Sequence, residues 1–322
     1  MPVPPLPLSQ TQHIAQKLLE IARRAGEPPV PPPLGLLPHA SAVARPKVRV
    51  VCISDTHCLN PQVPDGDLLL HTGDMTNNGS FDEIQALLDW LKSLPHRHKA
   101  VIAGNHDELL DTAFVDARPH LEMGPHDKTR GRTRADLDWG DIVYLENSST
   151  TITIDSCTDK EGPNRTLKIF GSPLTPLIPG DPTYAFQYDP ATRDPWVGLI
   201  PDDADIVLTH GPPKFHLDLN RGCAHLLREV WRVRPPLMVW GHWHAAHGEA
   251  TAVYDSVAYW HIKAMTTQSW GSLVMLAVHA FLARVGIRWF SAEGAGRRGA
   301  SRFVNAAIKS GDTMFNTIQF DI

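Results

Sequence analysis

Cysteine is scarce in this chain, and no two cysteines stand in a Cys-x-x-Cys pair. Cys52, Cys58, Cys157 and Cys223 are the four in 322 residues. That spacing speaks against a thiol-redox or zinc-binding Cys-x-x-Cys motif and reads as reduced thiols in an intracellular, cytoplasmic protein. An excess of basic charge is missing too: 30 Lys and Arg face 35 Asp and Glu, a net charge of −5. No general attraction to nucleic acid or to an anionic membrane follows, and no stable nucleic-acid complex is expected. The N-terminus has no charged segment leading into a long apolar one, so a secretory signal is not expected. Nor is there an apolar run of the ~20 residues that a membrane-spanning helix needs. The longest run, 272–285, is interrupted by His279 and Arg284. A buried or partly exposed amphipathic helix is expected there. Peripheral membrane contact through 272–290 is the less favoured alternative.

What the chain has in excess is histidine, 17 residues, and proline, 28. With 42% hydrophobic and 20% charged residues it reads as one large soluble domain or two small ones. Prolines crowd residues 2–7 and 28–38, which favours extended chain. Residues 1–46 therefore read as an appendage to a domain spanning 47–322. Within the appendage, Ser9 and Gln12 have capping-box spacing, and Ile14, Leu18, Ile21 and Ala22 recur at helical period. A short helix docked on the domain is expected, with a targeting or partner-binding helix as the alternative.

The organising pattern is a set of apolar strands that each end in polar groups. Residues 48–53 are mostly apolar and rich in β-branched side chains, as in the central strand of a parallel sheet, and run into Asp55-Thr56-His57. Side chains two apart on an extended strand end project to the same side. Residues 67–72 repeat the pattern and end in Gly73-Asp74. Ser80 and Glu83 then form a capping box before an amphipathic helix (Phe81, Ile84, Leu87, Leu88, Leu91, Leu94) that stops at Pro95. Residues 99–103 follow as the next strand, completing a crossover, and end in Gly104-Asn105-His106-Asp107. Residues 204–209 lead to His210 and a Gly-Pro turn, and a helix is expected at about 224–232. Residues 237–240 run into Gly241-His242-Trp243-His244. Open α/β sheets place their chemistry at such C-terminal strand ends, and mixed Asp, His and Asn donors suit a divalent cation.

The rest is less legible. Residues 142–145, 151–154 and 167–170 read as short strands of a second sheet layer, and Trp196 as a packing anchor. The basic loop 123–134 is either solvated or a source of phosphate contacts. Two final strands are expected at 302–308 and 316–322, with 264–300 as an insertion before them. His216, His225, His247 and His279 fit no strand end and are assigned to surface or packing roles.

As an ordered set, Asp-x-His, Gly-Asp, Gly-Asn-His-Asp, a later His and Gly-His-x-His resembles the calcineurin-like metallophosphoesterase superfamily. The phrasing around these motifs is most similar to its metallophosphoesterase-domain-containing subgroup. The resemblance covers about 47–261 and 302–322. It implies an α/β fold, a four-layer α/β/β/α sandwich with two central mixed β-sheets. It also implies two divalent metal ions (Mn²⁺, Fe²⁺ or Zn²⁺), one held by Asp55, His57 and His244, the other by Asn105, His210 and His242, with Asp74 bridging. The implied reaction is in-line attack of a metal-bridging hydroxide on phosphorus, with His106 protonating the leaving group and Asp107 orienting His106. A phosphodiesterase acting on a small phosphoester such as a cyclic nucleotide is expected. The alternatives are a phosphomonoesterase or protein phosphatase of the same superfamily, or a non-catalytic metal-binding scaffold.

Overall fold

The first strand, β1 (Arg49–Ile53), is buried on both faces. Its alternate side chains enter different cores, because successive strand residues point to opposite faces. Val50 and Cys52 lie in a core between two sheets, while Val51 and Ile53 lie in a core beneath a helix. The computed structural model describes residues 4–24, 47–118, 131–154, 164–177, 183–285, 287 and 299–322.

The first sheet joins β1 to β2 (Leu68–Thr72), β3 (His98–Ile102) and β4 (Val143–Tyr144), all parallel. The second sheet begins with β5 (Ser148–Ile154), which pairs antiparallel with β6 (Arg165–Ser172). Two-residue strands β7 (Thr175–Pro176) and β8 (Gln187–Tyr188) pair beside it. The sheet continues in parallel through β9 (Ile206–Thr209), β10 (Leu237–Trp240) and β12 (Ala300–Asn305), with β11 (Gly248–Val253) closing its edge antiparallel to β12. A small ladder, β13 (Lys309–Ser310) with β14 (Thr313–Met314), precedes β15 (Ile318–Asp321), which returns antiparallel to β1. Both sheets are thus mixed. Residues 142–145, expected in the second layer, lie instead in the first sheet, because Leu145 N donates to Val101 O (2.9 Å) and holds that segment beside β3.

The inner faces of the two sheets share one core, including Leu70, Ile102, Ile169, Leu208, Val239 and Val304. Each such side chain, fully buried, contributes about 1.5–3 kcal/mol. α2 (Phe81–Ser93) covers the first sheet through Phe81, Ile84, Leu88 and Leu91. Its capping box forms as expected: Ser80 Oγ accepts from Glu83 N, and the Glu83 carboxylate accepts from Ser80 N. α4 (Ala224–Val233) covers the second sheet through Leu226 and Val230, with Trp196 fully buried in that layer. The order is helix, sheet, sheet, helix.

Three further helices pack together. α1 (Gln10–Arg24) docks on α5 (Ser256–Thr267) and α6 (Trp270–Arg284) around Ala15, Ala264, Met265, Leu273 and Leu276. Gln12 Nε2 donates to Met265 O (2.9 Å), and Arg23 meets Asp255 (3.3 Å). The helical excursion starts at Ser256 rather than near 264, because Asp255 caps α5 by accepting from Ala258 N. A short helix, α3 (Thr112–Asp116), follows β3. No helix among the described residues is long and apolar enough to cross a membrane.

Candidate metal centre

The ends of β1, β2 and β3 meet those of β9 and β10 across the two sheets. The turns that leave the strands are tight. Asp55, His57, Asp74 and His242 have φ of 56°, 45°, 51° and 65°. Non-glycine residues adopt this left-handed region at a cost of about 1 kcal/mol or more, and they cluster at functional sites. Backbone bonds hold the turns together: Asp55 N to Gly73 O (2.9 Å), His57 N to Asp74 O (3.1 Å) and Gly241 N to His210 O (3.0 Å). Two glycines are dictated by closeness. A Cβ on Gly104 would lie 2.2 Å from Asp74 Oδ1, and one on Gly241 would lie 2.0 Å from Asp55 Oδ2.

Two groups of side chains converge there. Ligand-type atoms of Asp55, His57, Asp74 and His244 all lie within 4.8 Å of one another, as do those of Asp74, His210 and His242. Asp74 belongs to both. Asn105 Oδ1 lies 3.0 Å from His210 Nε2, which is 3.3 Å from Asp74 Oδ1. The imidazoles are held from behind by carbonyls: His57 Nδ1 donates to Thr76 O (3.1 Å) and His210 Nδ1 to Thr72 O (2.8 Å). A carbonyl only accepts, so each Nδ1 carries a proton and each Nε2 presents a lone pair inward when the ring is neutral. His57 Nε2 faces His244 Nε2 at 3.4 Å, and His244 Nε2 lies 3.0 Å from Asp55 Oδ1.

The electrostatics point the same way. Burial lowers the basicity of His210, but Asp74 and Asp55 outweigh it and push its pKa up to about 9. Burial and the neighbouring His210 drive His242 down to about 3. Burial also lowers His57. Burial opposes ionisation of Asp55 and Asp74, yet His244 and His210 hold the first, and His210, His106 and His57 the second, below the usual carboxylate range. Two buried carboxylates demand positive charge close by. Nitrogen and oxygen donors in one cluster, with tautomers fixed by backbone carbonyls, are the surroundings of a divalent transition metal. The residues present fit two such ions sharing Asp74.

Comparison with known proteins agrees. The Calcineurin-like phosphoesterase family matches residues 48–246. The chain belongs to the calcineurin-like phosphoesterase family. It is 38% identical over 268 residues to Probable rhamnogalacturonate lyase C of Emericella nidulans, covering 82% of this chain and 23% of that protein. It is 35% identical over 237 residues to Metallophosphoesterase domain-containing protein 1 of Homo sapiens, covering 66% of this chain and 65% of that protein. A UPF0046 protein of Caenorhabditis elegans is 37% identical over 223 residues, 64% of this chain and 72% of its own. The chain thus spans under a quarter of the first of these relatives and just under two thirds of the second. The last two support the metallophosphoesterase-domain-containing subgroup.

In this member of the family His106 stands at the edge of the centre, partly exposed, with its ring 5.2 Å from that of His57. Its Nδ1 donates to Asn77 O (2.9 Å), and its backbone N–H donates to Asp74 Oδ1 (2.9 Å). The hydrogen-bond partner of the His106 ring is thus the carbonyl of Asn77, and not the Asp107 carboxylate expected to orient it. The Asp107 carboxylate is fully buried and accepts from Gly104 N (2.7 Å), Thr76 N (3.0 Å), Thr76 Oγ1 (2.9 Å) and Met75 N (3.2 Å). It ties the loop after β2 to the loop after β3. Burial and the charge of Asp74 raise its pKa to about 6.

Sequence reasoning missed three contributors. His71, inside the apolar run of β2, accepts from Gly73 N at Nδ1 (3.2 Å) and reaches Thr56 Oγ1 from Nε2 (3.0 Å). Burial keeps it neutral, with a pKa of about 4. Thr76 supplies its carbonyl to His57 and its hydroxyl to Asp107. Tyr184 lies with its ring 4.9 Å from that of His106. None carries a local signal, because each also reaches a partner far away in sequence: His71 reaches Thr56, Thr76 reaches His57 and Asp107, and Tyr184 reaches His106. Of the basic loop, Arg132 stacks on Phe81 and pairs with Asp82, and Arg134 pairs with Glu146 (2.9 Å). Both are engaged in holding the fold, while residues 123–130 lie outside the described residues. His216 packs on Phe303, His247 on Phe315 and His279 on Trp260, and His225 pairs with Asp194.

Proposed function

We propose that this chain hydrolyses phosphodiesters, cyclic nucleotides among them, at a centre holding two divalent ions. Asp55, His57 and His244 hold one ion, Asn105, His210 and His242 the other, and Asp74 both. Bound there, Mn²⁺, Fe²⁺ or Zn²⁺ supplies a water of lowered pKa and offsets the charge on the phosphoryl oxygens. The observation that carries this reading is the carboxylate of Asp74 lying within 4.8 Å of the donors of both groups. His106 is held at Nδ1 by Asn77 O, so its Nε2 is the end left to protonate a departing alkoxide. Tyr184 forms an aromatic wall beside that ring. Diester specificity is supported by likeness to the metallophosphoesterase-domain-containing subgroup. The free thiols of Cys52, Cys58 and Cys223 support a reducing, cytoplasmic setting.

The test is turnover by apo-protein reloaded with each metal, on bis-p-nitrophenyl phosphate, p-nitrophenyl phosphate and 2′,3′- and 3′,5′-cyclic nucleotides, with Asp74→Asn as control. Metal-dependent diester turnover, lost in the control, supports the reading. Turnover of the monoester alone moves the assignment to a phosphatase. Failure to bind any metal overturns the catalytic reading and leaves a scaffold.

A further inference from the structure

α6 is mostly apolar around its circumference, yet among the described residues it is covered on only one side. Ser272, Leu273, Leu276, His279 and Ala280 are buried toward α1 and α5. The opposite face presents Trp270, Val274, Ala277, Val278 and Phe281 to solvent, with Trp270 66% and Phe281 65% exposed. Those positions recur at three- and four-residue steps and so form one stripe. Val285 and Ile287 extend it beyond the helix. Arg284 is the only polar side chain among the exposed residues of α6. A stripe of this kind on a soluble fold marks an interaction surface.

The charge around it selects the partner. Between residues 256 and 292 the cationic residues are Lys263, Arg284 and Arg288, and there is no Asp or Glu. Lys263 and Arg284 are exposed. Across the three packed helices α1, α5 and α6 the charged residues are Lys17, Arg23, Arg24, Lys263 and Arg284 against Glu20, so a symmetric pair of chains meeting through this face would bring an excess of cations together. An anionic lipid surface instead offers hydrocarbon to the stripe and negative headgroups to its flanks. Trp270 at one end suits the headgroup boundary. At 1.5 Å per residue the 15-residue helix is about 22 Å long, short of the ~30 Å hydrocarbon core, so it lies on a bilayer rather than crossing it.

We propose that α6 docks this protein on anionic membranes by laying the Trp270–Val274–Val278–Phe281 stripe into the lipid interface. The full chain is tested by co-sedimentation with vesicles of phosphatidylcholine alone or mixed with phosphatidylserine. The expected result is binding to the mixed vesicles that weakens as salt rises. V274S/F281S should stay in the supernatant while keeping its helical circular dichroism and its turnover of a soluble phosphoester. K263E/R284E, which leaves the stripe intact, should lose roughly tenfold or more in partition to the mixed vesicles. Wild type that stays in the supernatant at low salt overturns the proposal. So does a wild-type dimer in solution that V274S/F281S converts to monomer without any vesicle binding, which would make the stripe a contact between copies. Equal binding of wild type and both variants also overturns it.

Discussion

Replacing Gly241 by alanine tests whether the centre is built to the tolerance its contacts imply. The new Cβ would lie 2.0 Å from Asp55 Oδ2 and from Ser54 Oγ, and 2.7 Å from Ser54 Cβ. Real Cβ contacts stay beyond about 3.0 Å, so Asp55 Oδ2 must retreat by at least 3.0 − 2.0 = 1.0 Å. Asp55 has no room to do so. It is fully buried and accepts from His242 N with both oxygens, at 3.1 and 3.0 Å. Metal–ligand distances hold to about 0.2 Å, and a 1 Å misplacement of a reacting group costs about 10²-fold in rate. The expected outcome is loss of one of two bound ions, measured by plasma mass spectrometry on reloaded protein, with turnover down about 10²-fold or more. Overpacking adds about 1–3 kcal/mol of destabilisation, visible as a lower Tm. Gly271→Ala is the matched control: nothing lies within 4 Å of its Cβ, and a helical Gly-to-Ala change gains up to about 1 kcal/mol. A Gly241→Ala protein that keeps two ions and wild-type turnover would refute the reasoning.

Three other outcomes follow from the same geometry. His106→Ala removes one bond to Asn77 O and little packing, so Tm should move by a few degrees at most; turnover should fall about 10²–10⁴-fold for alkoxide leaving groups and far less for p-nitrophenoxide, and equal losses on both would count against proton donation. Asp107→Ala strands the buried N–H groups of Met75, Thr76 and Gly104, so chemical denaturation should show a loss of about 3 kcal/mol or more; unchanged stability with lost turnover would restore the orienting role instead. His216 and His261 are both pushed down to about 4, chiefly by burial, and lie outside the centre. The unfolded chain therefore binds more protons than the folded one between pH 6.5 and 4, so stability should be full above 6.5 and fall as pH drops through that window. A shift from 6.5 to about 4 corresponds to at most about 3 kcal/mol for each group. His261→Gln should flatten the slope of stability against pH, and a slope unchanged by it would count against the assignment.

Most of the centre was legible because each donor directly follows an apolar run. Asp55, His57, Asp74, Asn105, His210, His242 and His244 all stand where a strand must stop and turn, so strand order alone lines them up. Gly104 and Gly241 serve closeness to Asp74 and Asp55, contacts between turns that no local pattern carries. The surroundings of Asp107 were illegible for the same reason. Adjacency in sequence suggested a partner for His106, whereas the turn carries the carboxylate to the backbone of the β2 loop and leaves Asn77 O at the ring. The two segments outside the resemblance, 1–46 and 264–300, each showed a helical period. Nothing in either said that α1 and α6 would cover each other.

By itself the sequence determined the central strands that end in polar groups, the crossover helix, the metal-type donors and their order, because these rest on side-chain periodicity and on what each residue can ligate. The tertiary structure decided what depends on distance between strands far apart in the chain. It set Asp74 between two groups of ligands, gave the tautomers of His57 and His210 to backbone carbonyls, and turned Asp107 away from His106. Among the described residues it also left one apolar face of α6 uncovered. A hydrophobic pattern states how much surface must leave water, but only packing decides which neighbour takes it.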